Sequence, residues 1–145
     1  MNYLLDSNIL LYAKMEAMAE HSIVKQWLEN AVLDQNKSLN ICETSILSFL
    51  RISTNAKVFK PVLPLTEALI FVESFLACPN VNIIHTSANH YIDLIELMDK
   101  FNLRGNLVMD AHLAVLALTI GATLVTRDKD FIKIPYLKTV NPLSI

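Results

Sequence analysis

The chain has 145 residues, a length that fits one domain spanning 1–145. Hydrophobic residues make up 53% and charged residues 18%, with a formal net charge of −2, which argues against a protein that coats nucleic acid through bulk positive charge. The apolar share exceeds what so small a core can hide, so an interface with a second copy or another protein is expected.

Residues 3–5 read as a short apolar strand closed by Asp6. Residues 20–35 place Ile23, Val24, Trp27, Leu28, Ala31 and Val32 at helical spacing. A second strand follows at 39–42, then a helix at 44–53 capped by Thr44 or Ser45. Pro61 and Pro64 mark a turn before a helix at 66–77 carrying Ala68, Leu69, Val72, Phe75 and Leu76. Residues 81–84 form a strand, and 88–101 a helix with Tyr91, Ile95 and Met98. Residues 107–120 are apolar nearly all round, the mark of a buried helix, and Gly121 supplies its C-cap. Strands at 122–126 and 136–140 complete the pattern.

Strands separated by helices imply an α/β fold with a parallel sheet covered on both faces. In such sheets ligands bind beyond the carboxyl ends of the strands. The longest apolar stretch, 107–125, is interrupted by Asp110 and His112 and is too short to span a bilayer. The N-terminal apolar run has no preceding basic residue and contains Asp6, so neither a signal peptide nor a membrane is expected, and the expected location is cytoplasmic. Cys42 and Cys78 read as reduced, buried thiols.

Three acids break the apolar pattern where the sheet's active edge belongs. Asp6 closes the first strand, Asp110 lies near the start of the buried helix, and Asp128 follows the strand at 122–126. Singly, each has an ordinary role as a cap or turn residue. Together, carboxylates at one sheet edge would repel one another unless protonated or bridged by a cation. Arg127 and Lys129 flank Asp128, but strand alternation turns them away from it. A hard divalent cation, Mg²⁺ or Mn²⁺, is the simplest partner for such a set.

The opening YLLDSN is similar to the start of PIN domains, GNLVMDAHLAVLAL to the helix bearing their third acid, and GATLVTRDKDF to the strand and loop bearing the fourth. FLRISTN with VFKP, and the ending PYLKTVNPL, resemble one branch of the VapC toxins. The resemblance covers essentially the whole chain. It implies a PIN-like three-layer α/β/α sandwich with a central parallel sheet of four to five strands. It also implies Mg²⁺-dependent RNA cleavage, a cognate VapB-like antitoxin and a homodimer. Matched by motif, Asp6, Asp110 and Asp128 are the expected metal ligands, with Ser7 and Asn8 steadying Asp6.

The chain departs from the family at one place. PIN domains usually carry a Glu in the helix after the second strand, and here Ser48 occupies it, with Glu43 five residues earlier. Five helical residues rotate a side chain by about 140°, so the two cannot share a face. Glu43 is a candidate site member only from the strand–helix junction; its other role is a favourable charge at a helix N-terminus. Ser48 is the candidate for holding a metal-bound water. Asp130 either binds metal through water or orders the loop, with the loop role favoured. Thr126 either bonds a carboxylate or fills the strand. Arg51, Arg104, Arg127 and Lys129 are the candidates for gripping RNA, against a bland reading as solvated charge. His112 is expected to pack or face solvent, and His85 and His90 to be ordinary loop and helix-start residues.

Other α/β chemistries lack their motifs. A haloacid-dehalogenase-like phosphatase needs a second Asp where Asn8 stands. A dinucleotide fingerprint, a P-loop and a serine-hydrolase elbow need glycines, and the chain has only Gly105 and Gly121. The rival of another class is a PIN-fold module that binds RNA or protein without cutting, its cleavage weakened by the missing Glu.

Overall fold

The structure, a computed structural model, describes all residues from Met1 to Ile145. Five parallel strands form its sheet: β1 (Asn2–Leu5), β2 (Ser38–Cys42), β3 (Val81–Ile84), β4 (Thr123–Val125) and β5 (Thr139–Val140), in the order β3-β2-β1-β4-β5. Strand β1 lies at the centre, with Leu4 opposite Asn40 on one side and Leu124 on the other.

Side-chain alternation divides the core into two layers. Tyr3, Leu5, Leu39, Ile41 and Val125 face α1 (Ser7–Lys14), α2 (His21–Leu33), α3 (Glu43–Ser53) and α4 (Leu65–Leu76). Leu4, Cys42 and Leu124 face α5 (His90–Phe101) and α6 (Leu107–Ile120). The result is the three-layer α/β/α sandwich that the sequence implies. Ala111 and Leu113 through Ala117 are all buried, as expected for the helix that is apolar nearly all round, and Gly121 ends it in the left-handed conformation at φ 64°.

Several expectations need correction. Helix α1 occupies a stretch to which the sequence pattern assigned no element. Helix α3 starts at Glu43 with Cys42 at its N-cap, two residues before Thr44 and three before Ser45, the expected caps. The strand at 136–140 shrinks to Thr139–Val140, because residues Lys129–Lys133 form a 3₁₀ turn and the chain reaches the sheet late. Helix α5 buries His90, Leu94 and Leu97, so Tyr91 and Ile95 face outward beside Ile92. Both cysteines are free, but Cys78 is only partly buried. No helix is long and apolar enough to cross a membrane.

Candidate active site

The carboxyl ends of β1 and β4 deliver the acids. Strand β1 runs directly into Asp6, whose amide donates to the Val125 carbonyl at 3.0 Å, so the sheet ladder itself fixes the position of this carboxylate. Helix α1 begins one residue later, and Asp6 sits at its N-cap without a side-chain capping bond. The carboxylate is left for other partners. Asp110 projects from the first turn of α6, and Asp128 caps the 3₁₀ turn after β4.

Asp6, Asp110 and Asp128 line one cavity of about 210 Å³, together with Ser7, Asn8, Thr44, Ser45 and Ser48. Carboxylate oxygens of Asp110, Asp128 and Asp130 lie within 4.8 Å of one another. None of the four acids has a Lys, Arg or His salt-bridge partner. Burial first, then repulsion from Asp128, Asp6 and Asp130, pushes Asp110 up to about 6. Asp6 is also raised, chiefly by burial, with the Thr126 hydroxyl acting in the opposite direction.

Thr126 ties the two sides of the site together. Its hydroxyl donates to Asp6 Oδ2 at 2.8 Å and accepts from the Asp128 amide at 3.0 Å. Asn8 Nδ2 reaches both Asp6 Oδ2 and Thr126 Oγ1 at 3.5 Å, and Ser7 Oγ reaches Asp6 Oδ1 at 3.4 Å. Asn8 Oδ1 is buried and has no hydrogen-bond partner. An all-oxygen donor set of mutually repelling carboxylates, with an orphaned carbonyl oxygen in a lining residue, fits a hard divalent cation and its water shell.

The sequence candidates separate in space. Ser48 lines the acid cavity; Glu43 does not. Glu43 is the first residue of α3 and is exposed, with Oε1 3.0 Å from His85 Nδ1. Its helical phase turns it toward the loop after β3 and away from the acids. Asp130 does more than order the loop: its amide donates to Asp128 Oδ1 at 2.9 Å, and its carboxylate joins the acid cluster. Arg51 and Arg104 are exposed and line no part of the acid cavity. Strand alternation does not carry past Val125, where β4 ends: Arg127 and Lys129 line a neighbouring cavity together with Asp128, although neither pairs with it. Arg127 Nε stands 3.6 Å from Glu20 Oε2, and its guanidinium lies 5.9 Å from the Tyr12 ring centroid.

Sequence reasoning missed a histidine pair behind the cavity. His90, 1% exposed, shares a 2.8 Å hydrogen bond with His112 Nδ1, and His112 Nε2 meets Thr44 Oγ1 at 3.1 Å. Burial lowers the pKa of both rings, which favours neutral imidazoles. The pair clamps α5, α6 and the start of α3 behind Thr44. Nothing in a separation of 22 residues announces that contact.

A protein-family profile described as PIN domain matches residues 3–136. The chain is 30% identical to ribonuclease VapC31 of Mycobacterium tuberculosis over 140 residues, covering 97% of this chain and 98% of that one. It is 29% identical to ribonuclease VapC33 of the same organism over 138 residues, covering 95% and 96%. Among solved structures it is similar to VapBC2 from Rickettsia felis bound to a DNA fragment from their promoter, with TM-score 0.72, 25% identity and coverage of 97% and 98%. VapC20 of M. tuberculosis, described as a sarcin-ricin loop cleaving toxin, shares the fold at TM-score 0.69 and 13% identity, covering 94% and 97%.

Proposed function

This chain belongs to the PIN-domain family, and from that premise we propose that it is a divalent-metal-dependent ribonuclease, the toxin of a VapBC-type toxin–antitoxin pair. The reading rests above all on one observation: Asp6, Asp110 and Asp128 converge on a single cavity with no salt-bridge partner. Its relatives VapC31 and VapC33 are ribonucleases by name, and the Rickettsia felis structure is a VapBC assembly.

Asp6, Asp110 and Asp128 are the residues that would hold Mg²⁺ or Mn²⁺, with Asp130, whose carboxylate clusters with those of Asp110 and Asp128, as a fourth. When bound, the cation supplies Lewis acidity, activating water as the nucleophile and offsetting charge that builds on the phosphate. Thr126 keeps the Asp6 carboxylate oriented, and Asn8 and Ser7 add further donors to it. Ser48, at the cavity wall in place of the usual Glu, hydrogen-bonds water there. No side-chain nucleophile is needed, so the polar chain atoms position, orient and exclude. Arg127 and Lys129 flank the acids as the cations for RNA.

Partners follow from the same reading. A VapB-like antitoxin and a second copy are the expected occupants of the exposed apolar surface, which includes Leu65, Leu69 and Ile70 on α4 and Tyr91, Ile92 and Ile95 on α5. Action on RNA fits a cytoplasmic location.

Induced expression of the wild type beside Asp110→Asn tests the function. Growth arrest and RNA cleavage are expected from the wild type alone, and equal toxicity of the two forms would overturn the nuclease reading. The second reading, a PIN-fold module that binds without cutting, draws on Ser48 standing where the family usually places its Glu. It predicts RNA or partner binding with no cleavage at millimolar Mg²⁺ or Mn²⁺.

A further inference from the structure

Beside the acid cavity lies a second one of about 600 Å³, within the roughly 300–1,000 Å³ range of ligand pockets. The two share Asn8 and Asp128 as a common wall. The second is also lined by Tyr12, Arg127, Lys129 and Asn141. We propose that this neighbouring cavity is the anchor for the RNA phosphate adjoining the one that is cut, built on Arg127, and that Glu20 is the positioning residue that holds Arg127 there. The inference rests on the ribonuclease reading and adds to it the seat of the flanking nucleotide.

Charge argues for it first. A cavity of carboxylates repels a polyanion, so attraction for RNA has to come from beside it. Arg127 and Lys129 are the only cationic side chains lining either cavity. A strand with its reacting phosphate over the acids passes the shared wall of Asn8 and Asp128 directly into their reach.

The geometry around Arg127 argues for it next. The Glu20 side chain is 17% exposed, whereas that of Arg127 is 52% exposed. A mostly shielded carboxylate therefore faces the Nε edge of an outward-reaching guanidinium as an ion pair at 3.6 Å, longer than a hydrogen bond, and the Tyr12 ring lies beside it. Guanidinium carries five N–H donors, so engagement at Nε leaves the terminal nitrogens available for a phosphate. Asn141 contributes in the same cavity: its Oδ1 accepts from the Leu143 amide at 3.0 Å, which leaves its NH₂ as a donor. An exposed Arg–Glu pair is ordinarily a minor stabilising contact. This one joins the loop after α1 to the residue preceding Asp128, at the only cationic wall beside the acids.

The test separates binding from cutting. Binding of a short mixed-sequence single-stranded RNA is followed by fluorescence anisotropy in an Asp110→Asn background, which prevents cleavage. Arg127→Gln is expected to weaken binding roughly tenfold and to lower the slope of log affinity against log salt by about one. Arg127→Lys should restore the slope while recovering only part of the affinity. Glu20→Gln should cost roughly threefold alone and nothing further beside Arg127→Gln, as expected of a residue acting through that arginine. In the cleaving protein, Glu20→Gln should raise KM and leave kcat unchanged. Equal RNA affinity and salt slope with and without Arg127→Gln would overturn the anchor even if the wild type cleaves RNA. A full additional loss from Glu20→Gln in the Arg127→Gln protein would overturn the positioning role. Arginine-dependent RNA binding by a wild type that never cleaves would support the anchor and sink the nuclease reading instead.

Discussion

The two ends of the sheet embed polar side chains in the same apolar framework and put them to opposite use. At the end where the strands begin, amides close the structure. Asn80 Nδ2 donates to the carbonyls of Ala31, Asp34 and Lys37 at 2.9–3.1 Å, and Asn2 Nδ2 donates to the Ile120 carbonyl at 2.8 Å. Neutral donors there meet backbone carbonyls in the last turn of α2, in the loop that follows it and at the end of α6, and the polar groups become fasteners. At the end where the strands finish, like charges gather, and Asp110 is pushed up to about 6. Neutral amides bonded to the backbone are structural, even with Asn80 Oδ1 left without a partner; carboxylates left in mutual repulsion wait for something to bind.

The widest contrast between the ends should come from single substitutions. Asp110→Asn should lower RNA cleavage at least about hundredfold, since outer-shell changes alone cost roughly 10–100-fold. The metal-free protein should melt no lower, because a repelling charge has been removed. Asn80→Ala should do the reverse, destabilising the fold by about 1–3 kcal/mol in denaturant titration while leaving cleavage per folded molecule unchanged. If Asn80→Ala abolished cleavage at full folding, the division between the ends would break.

Thr126→Val probes how the acid end is oriented. It removes the hydroxyl that joins Asp6 to the Asp128 amide, and cleavage should fall roughly tenfold with a weaker Mg²⁺ dependence. A smaller contrast separates the two candidates for the missing family acid. Ser48→Ala should reduce kcat several-fold and Glu43→Gln should change it less than about twofold, because only Ser48 lines the cavity. The reverse order would restore Glu43 to the site.

These two residues also show how far the sequence could be read. The strand–helix alternation, the buried helix at 107–120 and the three aspartates at strand or helix ends were all legible, because periodicity and misplaced charge are local signals. Helix α1 was not, since its eight residues are short and apolar on several sides. The outward turn of Tyr91 and Ile95 was hidden because α5 carries two rows of apolar residues, and only the sheet decides which row packs. Glu43 and Ser48 were recognised as incompatible from helical phase, yet choosing between them required the start of α3. The roles of His90 and Glu20 depend on contacts across 22 and 107 residues, and no spacing rule reaches that far.

The pH response should be modest but diagnostic. Asp110 has a folded pKa of about 6 against 3.8 unperturbed. Between those values the metal-free folded protein binds more protons than the unfolded chain, so stability falls as pH rises through that window and levels off above about 6. Protons and Mg²⁺ compete for the same oxygens, so the gain in melting temperature from Mg²⁺ should fade as pH falls below about 6.

The most direct measurement is a calorimetric titration of metal-free protein with Mn²⁺ at neutral pH, with Asp110→Asn in parallel. Saturable binding by the wild type, lost in the variant while its fold is retained, is the predicted result. No heat of binding in the wild type, or equal binding by both, would contradict the claim that these distant aspartates form one cation-holding centre.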